Sequence, residues 1–169
     1  GGGGGGGGGG ATGGPAGAPA RDENQQKKIK NKQNNADNST LCFSERFPWF
    51  SFRSMTMTAD YNLRSLQNGS MRELTLAGLY KRLQELSSKP WIYWTQQPKH
   101  SGLETLSYGD LNFTAGPSAN LSKDTTIYVF RFDTYQGTGK GRILGYKNSP
   151  CSVFHIIGYD LDFSGYDHG

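Results

Sequence analysis

Five residues in the last forty carry side chains that could do chemistry together: Arg131, Arg142, His155, Tyr166 and His168. A ribonuclease that attacks through the ribose 2′-hydroxyl needs a general base, a general acid and cations on the scissile phosphate. His, Tyr and Arg supply all three without a metal or a cofactor. On this reading His155, Tyr166 and His168 move protons, while Arg131, Lys140, Arg142 and Lys147 hold the nucleic acid. The structural alternative for His155 is a hydrogen-bonded core histidine, because it lies inside the apolar run Val153-Phe154-His155-Ile156-Ile157. Asp160, Asp162, Asp167 and His168 offer enough donors for Mg²⁺ or Mn²⁺. Asp and Gly are also what a turn after a strand requires, so the cluster is read as structural and no metal is assigned.

Gln136-Gly137-Thr138-Gly139-Lys140-Gly141 invites comparison with a phosphate-binding loop. Such a loop places Ser or Thr after the Gly-Lys pair and then a helix. Here Gly141 occupies that position and a strand pattern follows. The segment is therefore read as a hairpin tip carrying one lysine that can touch a phosphate backbone.

These residues need a scaffold, and the chain supplies a clear one. Thr126–Phe132, Arg142–Tyr146 and Cys151–Asp160 are rich in β-branched and aromatic residues and are separated by short Gly, Asn, Ser or Pro connections. That pattern predicts an antiparallel three-stranded meander. Phe50–Met55 alternates with period two and predicts a first strand. Ser70-Met71-Arg72-Glu73 has the spacing of a capping box. Behind it Leu76, Leu79, Tyr80, Leu83 and Leu86 recur at helical spacing until Pro90 ends the run. A helix over 71–88 follows, its apolar stripe covering the sheet. Trp91-Ile92-Tyr93-Trp94 reads as a core plug beside the helix end, and 96–120 as loop with one or two strand fragments.

Composition sets the bounds. The chain has 169 residues, a formal charge of +4 and a pI near 9.1, a balance that favours an acidic partner only weakly. Residues 1–40 run from glycine repeats into a lysine-, Gln- and Asn-rich stretch, and predict a disordered arm. Residues 41–169 then form a single α+β domain. Cys42 and Cys151 read as inert thiols, and the sequons at Asn38, Asn68, Asn112 and Asn120 as chance matches. With neither a signal peptide nor an apolar run of membrane length, the expectation is a cytoplasmic protein without a membrane partner.

Val129-Phe130-Arg131-Phe132, Arg142-Ile143-Leu144-Gly145, the run Phe154 to Ser164 and the ending Tyr166-Asp167-His168-Gly169 together resemble an uncharacterised family of small bacterial proteins. That family is associated with mobile elements and with phage or plasmid maintenance. More loosely, the order of elements is similar to the RelE/ParE toxin architecture of strand, helical hairpin and basic, aromatic meander, from which this chain departs by one clear helix instead of two and a long irregular segment before the meander. The resemblance implies a toxin-like protein acting on RNA as a metal-independent endoribonuclease, with a cognate antitoxin as partner. The rival expectation is a non-catalytic module that binds protein or nucleic acid in a defence or counter-defence system. The expected architecture is an amphipathic helix on a twisted antiparallel sheet ending in the meander.

Overall fold

The computed structural model of the protein describes residues 1–7, 9, 46–66, 72–148 and 153–169. Most of the expected arm (residues 8 and 10–40), its boundary at Leu41, both cysteines, and Ser70 and Met71 of the capping box lie outside the described residues. Among the described residues five strands form one open sheet: β1 (Trp49–Ser51), β2 (Glu104–Ser107), β3 (Thr126–Thr134), β4 (Gly137–Lys147) and β5 (Val153–Asp160). Their order is β1-β5-β4-β3-β2. Two helices, α1 (Arg72–Ser87) and α2 (Trp91–Thr95), lie between β1 and β2 in the chain. The protein is α+β. β2, β3, β4 and β5 pair antiparallel, whereas β1 runs parallel to β5, so the sheet is mixed. β1 is also shorter than the period-two pattern predicts. The chain turns at Phe52, whose carbonyl accepts from Met55 N, and Thr56 N then donates to Ile157 O.

Period-two alternation gives the sheet two faces, and both are covered. On the first face Phe130, Phe132, Ile143, Phe154, Ile156 and Tyr159 pack against Leu79 and Leu86 of α1 and the indoles of Trp91 and Trp94. On the second, Ile127, Val129, Leu144, Tyr146 and Ile157 are covered by Tyr61, Phe113 and Tyr166. The predicted core plug is seen in Trp91 and Trp94, both buried, with Trp94 Nε1 donating to Leu86 O at 3.0 Å.

The helix departs from the expected stripe in one respect. Leu79 and Leu86 are buried and Leu83 is half-buried, but Leu76 and Tyr80 face out, Tyr80 at 72% exposure. The cause is Gly78. A Cβ there would stand 2.0 Å from Asp133 O, so the backbones of α1 and β3 pack directly against each other at this glycine. That contact rotates Thr75 inward, where its hydroxyl accepts from Tyr135 N. Counting apolar residues misses the effect, because the contact is made by a residue without a side chain.

Two irregularities in the sheet decide which side chains meet. The first follows β3. Thr134 pairs with Gly137, so the turn is Tyr135-Gln136, and the glycine-rich segment lies inside β4 instead of at the tip. Phe132 pairs with Gly141, leaving Thr138, Gly139 and Lys140 bulged opposite Asp133. Gly139 takes φ +65, and its amide donates to the Asp133 carboxylate at 2.8 Å. The second is in β5. Gly145 pairs with Ile156 and Leu144 with Gly158, so Ile157 is the extra residue. One inserted residue exchanges the faces of everything beyond it. Tyr159 is thereby turned into the first core and Asp160 onto the second face, opposite Arg142.

Candidate active site

The sheet register assembles a row of ionisable residues across one end of the second face. Glu104 on β2, Arg131 on β3, Arg142 on β4 and Asp160 on β5 occupy neighbouring positions there. Buried charges persist only when paired or hydrogen-bonded, and each of these finds a partner differently. Arg131 meets Glu104 through two nitrogens, Nη2 at 2.6 Å and Nε at 2.8 Å from Oε1. Arg142, 5% exposed, donates from Nη1 to the carbonyls of Gly139 (2.6 Å) and Gly141 (3.1 Å), the first of them supplied by the bulge. Its Nε is buried with no hydrogen-bond partner.

Asp160 organises the C-terminal segment. Its carboxylate is fully enclosed and accepts from three backbone amides: Asp162 N at 3.3 Å, Ser164 N at 3.1 Å and Gly165 N at 3.0 Å. A Cβ on Gly165 would lie 2.9 Å from Asp160 Oδ2, so only glycine lets the turn close this tightly. The turn is pinned from outside as well, since Ser164 O accepts from Asn112 Nδ2 at 2.7 Å and Tyr61 Oη at 3.1 Å. Asp162 and Asp167 stay exposed. The Ser164 hydroxyl holds the Asp162 carboxyl below the usual carboxylate range, and Asp167 accepts from Gly169 N. The strand ends at Asp160, so Asp160 and Asp162 do not lie on one continuing strand face. Among the described residues no three His, Cys, Asp or Glu side chains converge on a cation site.

His168 closes the arrangement. Its Nε2 lies 3.0 Å from Asp160 Oδ2, and its ring packs at 4.0 Å against Tyr166 and at 5.1 Å against Phe163. With the Asp160 carboxylate as acceptor, Nε2 is the donor nitrogen, and in that tautomer the lone pair of a neutral ring lies on Nδ1. This is how a buried carboxylate fixes the tautomer of a histidine base. Tyr166 is buried beside it, with its hydroxyl unpartnered. Burial pushes its phenol up, the Glu104 carboxylate adds to this, and the Arg142 guanidinium opposes it from a position short of good hydrogen-bond geometry. Tyr166 therefore remains a protonated donor at neutral pH.

A cavity of about 480 Å³ opens over this group, lined by Glu104, Arg131, Arg142, Phe163, Tyr166 and His168, with Lys99 at its rim. Of the residues expected to act together, the structure brings together Arg131, Arg142, Tyr166 and His168. Lys140 is exposed at the edge of the group, its ammonium 5.9 Å from the Phe163 ring.

His155 and Lys147 lie elsewhere. His155 is half-buried at the opposite end of the second face, stacked at 4.8 Å on Tyr146, whose hydroxyl bonds Ser54 at 2.9 Å. Burial, and then the nearby Arg53 charge, lower its pKa below the ordinary histidine value. Lys147 belongs to the first face, its ammonium 4.2 Å from the Trp91 ring and 4.8 Å from Tyr128, and burial lowers its pKa. Sequence reasoning missed Glu104, Phe163 and the orienting role of Asp160. The bulge at Ile157, which turns Asp160 inward, has no signature in the residue pattern. Against protein-family models, curated proteins and solved structures the chain has no match.

Proposed function

We propose that the cleft at this end of the sheet cleaves RNA without a metal, in the manner of a toxin-type endoribonuclease of the RelE kind. The observation that carries the reading is the Asp160–His168 pair. An enclosed carboxylate orients a histidine beside a cavity lined by Lys99, Arg131 and Arg142 together with Glu104 and Asp167. His168 Nδ1 removes the proton from the ribose 2′-hydroxyl. The resulting oxygen attacks the adjacent phosphorus, and the 5′-oxygen of the next nucleotide leaves with a proton from Tyr166. Arg142 and Arg131 offset the charge that develops on the phosphoryl oxygens.

Purified protein incubated in chelator with a long unstructured RNA tests this. The expected result is cleavage to 2′,3′-cyclic phosphate ends, weakened by salt, with no action on the same strand made of 2′-O-methyl nucleotides. Intact RNA and salt-insensitive binding overturn the proposal. The protein would then be a non-catalytic binding module, with the Asp160–His168 contact serving as a clasp for its C-terminus.

A further inference from the structure

Phe163 is the one non-glycine among the described residues with a positive φ, 63°. Glycine adopts this conformation without penalty and a phenylalanine does not. Backbone geometry therefore argues against an aromatic residue here, and so does packing. Phe163 belongs to neither buried core and is 39% exposed. Strain retained at a position that contributes little to the core marks a side chain kept for another purpose.

Its surroundings indicate that purpose. The ring lines the cleft, with the Arg142 guanidinium carbon 5.2 Å from its centre and the Lys140 ammonium at 5.9 Å. His168 meets it edge-on at 5.1 Å. A flat, partly exposed hydrophobic ring with cations over it, next to the histidine that would take the 2′-hydroxyl proton, matches a nucleotide with its base unpaired. The base stacks on the ring, its phosphate meets Lys140 or Arg142, and its sugar faces His168. A paired base inside a duplex cannot present its face in this way.

Building on the ribonuclease reading, we propose that Phe163 is the stacking platform for an unpaired base, which makes single-stranded RNA the substrate. The platform is tested with non-cleavable 2′-O-methyl oligonucleotides in three forms: a single strand with 2-aminopurine at one position, the same strand abasic at that position, and the duplex. Wild type should quench the 2-aminopurine and bind the intact strand about ten- to hundred-fold more tightly than the abasic strand or the duplex. Phe163→Gly should lose that preference while its thermal midpoint stays level or rises, and Phe163→Trp should keep the preference. A wild type that binds all three forms alike overturns the platform and leaves the RNA reading standing. A fall of several degrees in the midpoint of Phe163→Gly also overturns it, by showing that the ring is kept for packing. No binding of any form removes the ribonuclease reading and the platform together.

Discussion

Asp160 places both oxygens where only donors point: two amides at Oδ1, and one amide with the His168 ring at Oδ2. An asparagine of the same shape must aim its NH₂ at one of these donor sets. Asp160→Asn should therefore cost about 1–3 kcal/mol, the penalty of leaving buried donors unsatisfied, measured by urea unfolding. A cost near zero would mean that the carboxylate does not hold the turn. The pKa of Tyr166 is raised in the folded protein, which sets a direction for pH. A group with a raised folded pKa gives stability that is fully present below its unfolded pKa, about 10 for tyrosine, and lost as pH climbs through the folded value. Burial raises Tyr159 in the same way. Stability should then fall as pH rises above about 10, and Tyr166→Phe should fall less steeply, as unfolding at about pH 8 and about pH 11 would report. At this scale the sequence was partly legible. Arg131, Arg142, Tyr166 and His168 are recognisable by type, but Glu104 and Asp160 become partners only through register, which residue types do not encode.

At the scale of elements, helix α1 provides a test, since its buried side differs from the one that apolar spacing predicts. Leu86 is fully buried, so Leu86→Ala should cost about 2–5 kcal/mol, while Leu76→Ala on the outer side should change stability by no more than about 0.5 kcal/mol. Gly78→Ala makes the point more sharply. On an exposed helix this change stabilises by about 1 kcal/mol, yet here the new methyl meets Asp133 O and should destabilise by about 1–3 kcal/mol. Thermal unfolding of the three variants decides which side faces the sheet, and a stabilised Gly78→Ala would contradict the packing described. The helix and the three C-terminal strands were legible because long periodic segments announce themselves. The parallel pairing of β1 was not, since three residues carry little pattern and their partner lies about a hundred positions away. Nor were the bulges, because Ile157 reads as one more apolar residue in a strand.

For the molecule as a whole, the two ends of the second face are separated by the apolar cluster of Val129, Leu144, Ile157 and Phe113. His155 stands at one end against Tyr146, and His168 stands at the other against Asp160. Either histidine could have been the base on sequence grounds; of the two, only His168 has an orienting carboxylate and a cavity lined by arginines. Among the described residues no helix is long and apolar enough to cross a membrane. Single-turnover cleavage of an unstructured RNA in chelator should be compared for wild type, His168→Gln and His155→Gln, with all three confirmed folded. The account predicts that His168→Gln slows cleavage by about 10²–10⁴-fold while binding persists, and that His155→Gln stays within a few-fold of wild type. Cleavage that survives His168→Gln, or that is lost with His155→Gln in a folded protein, would contradict it.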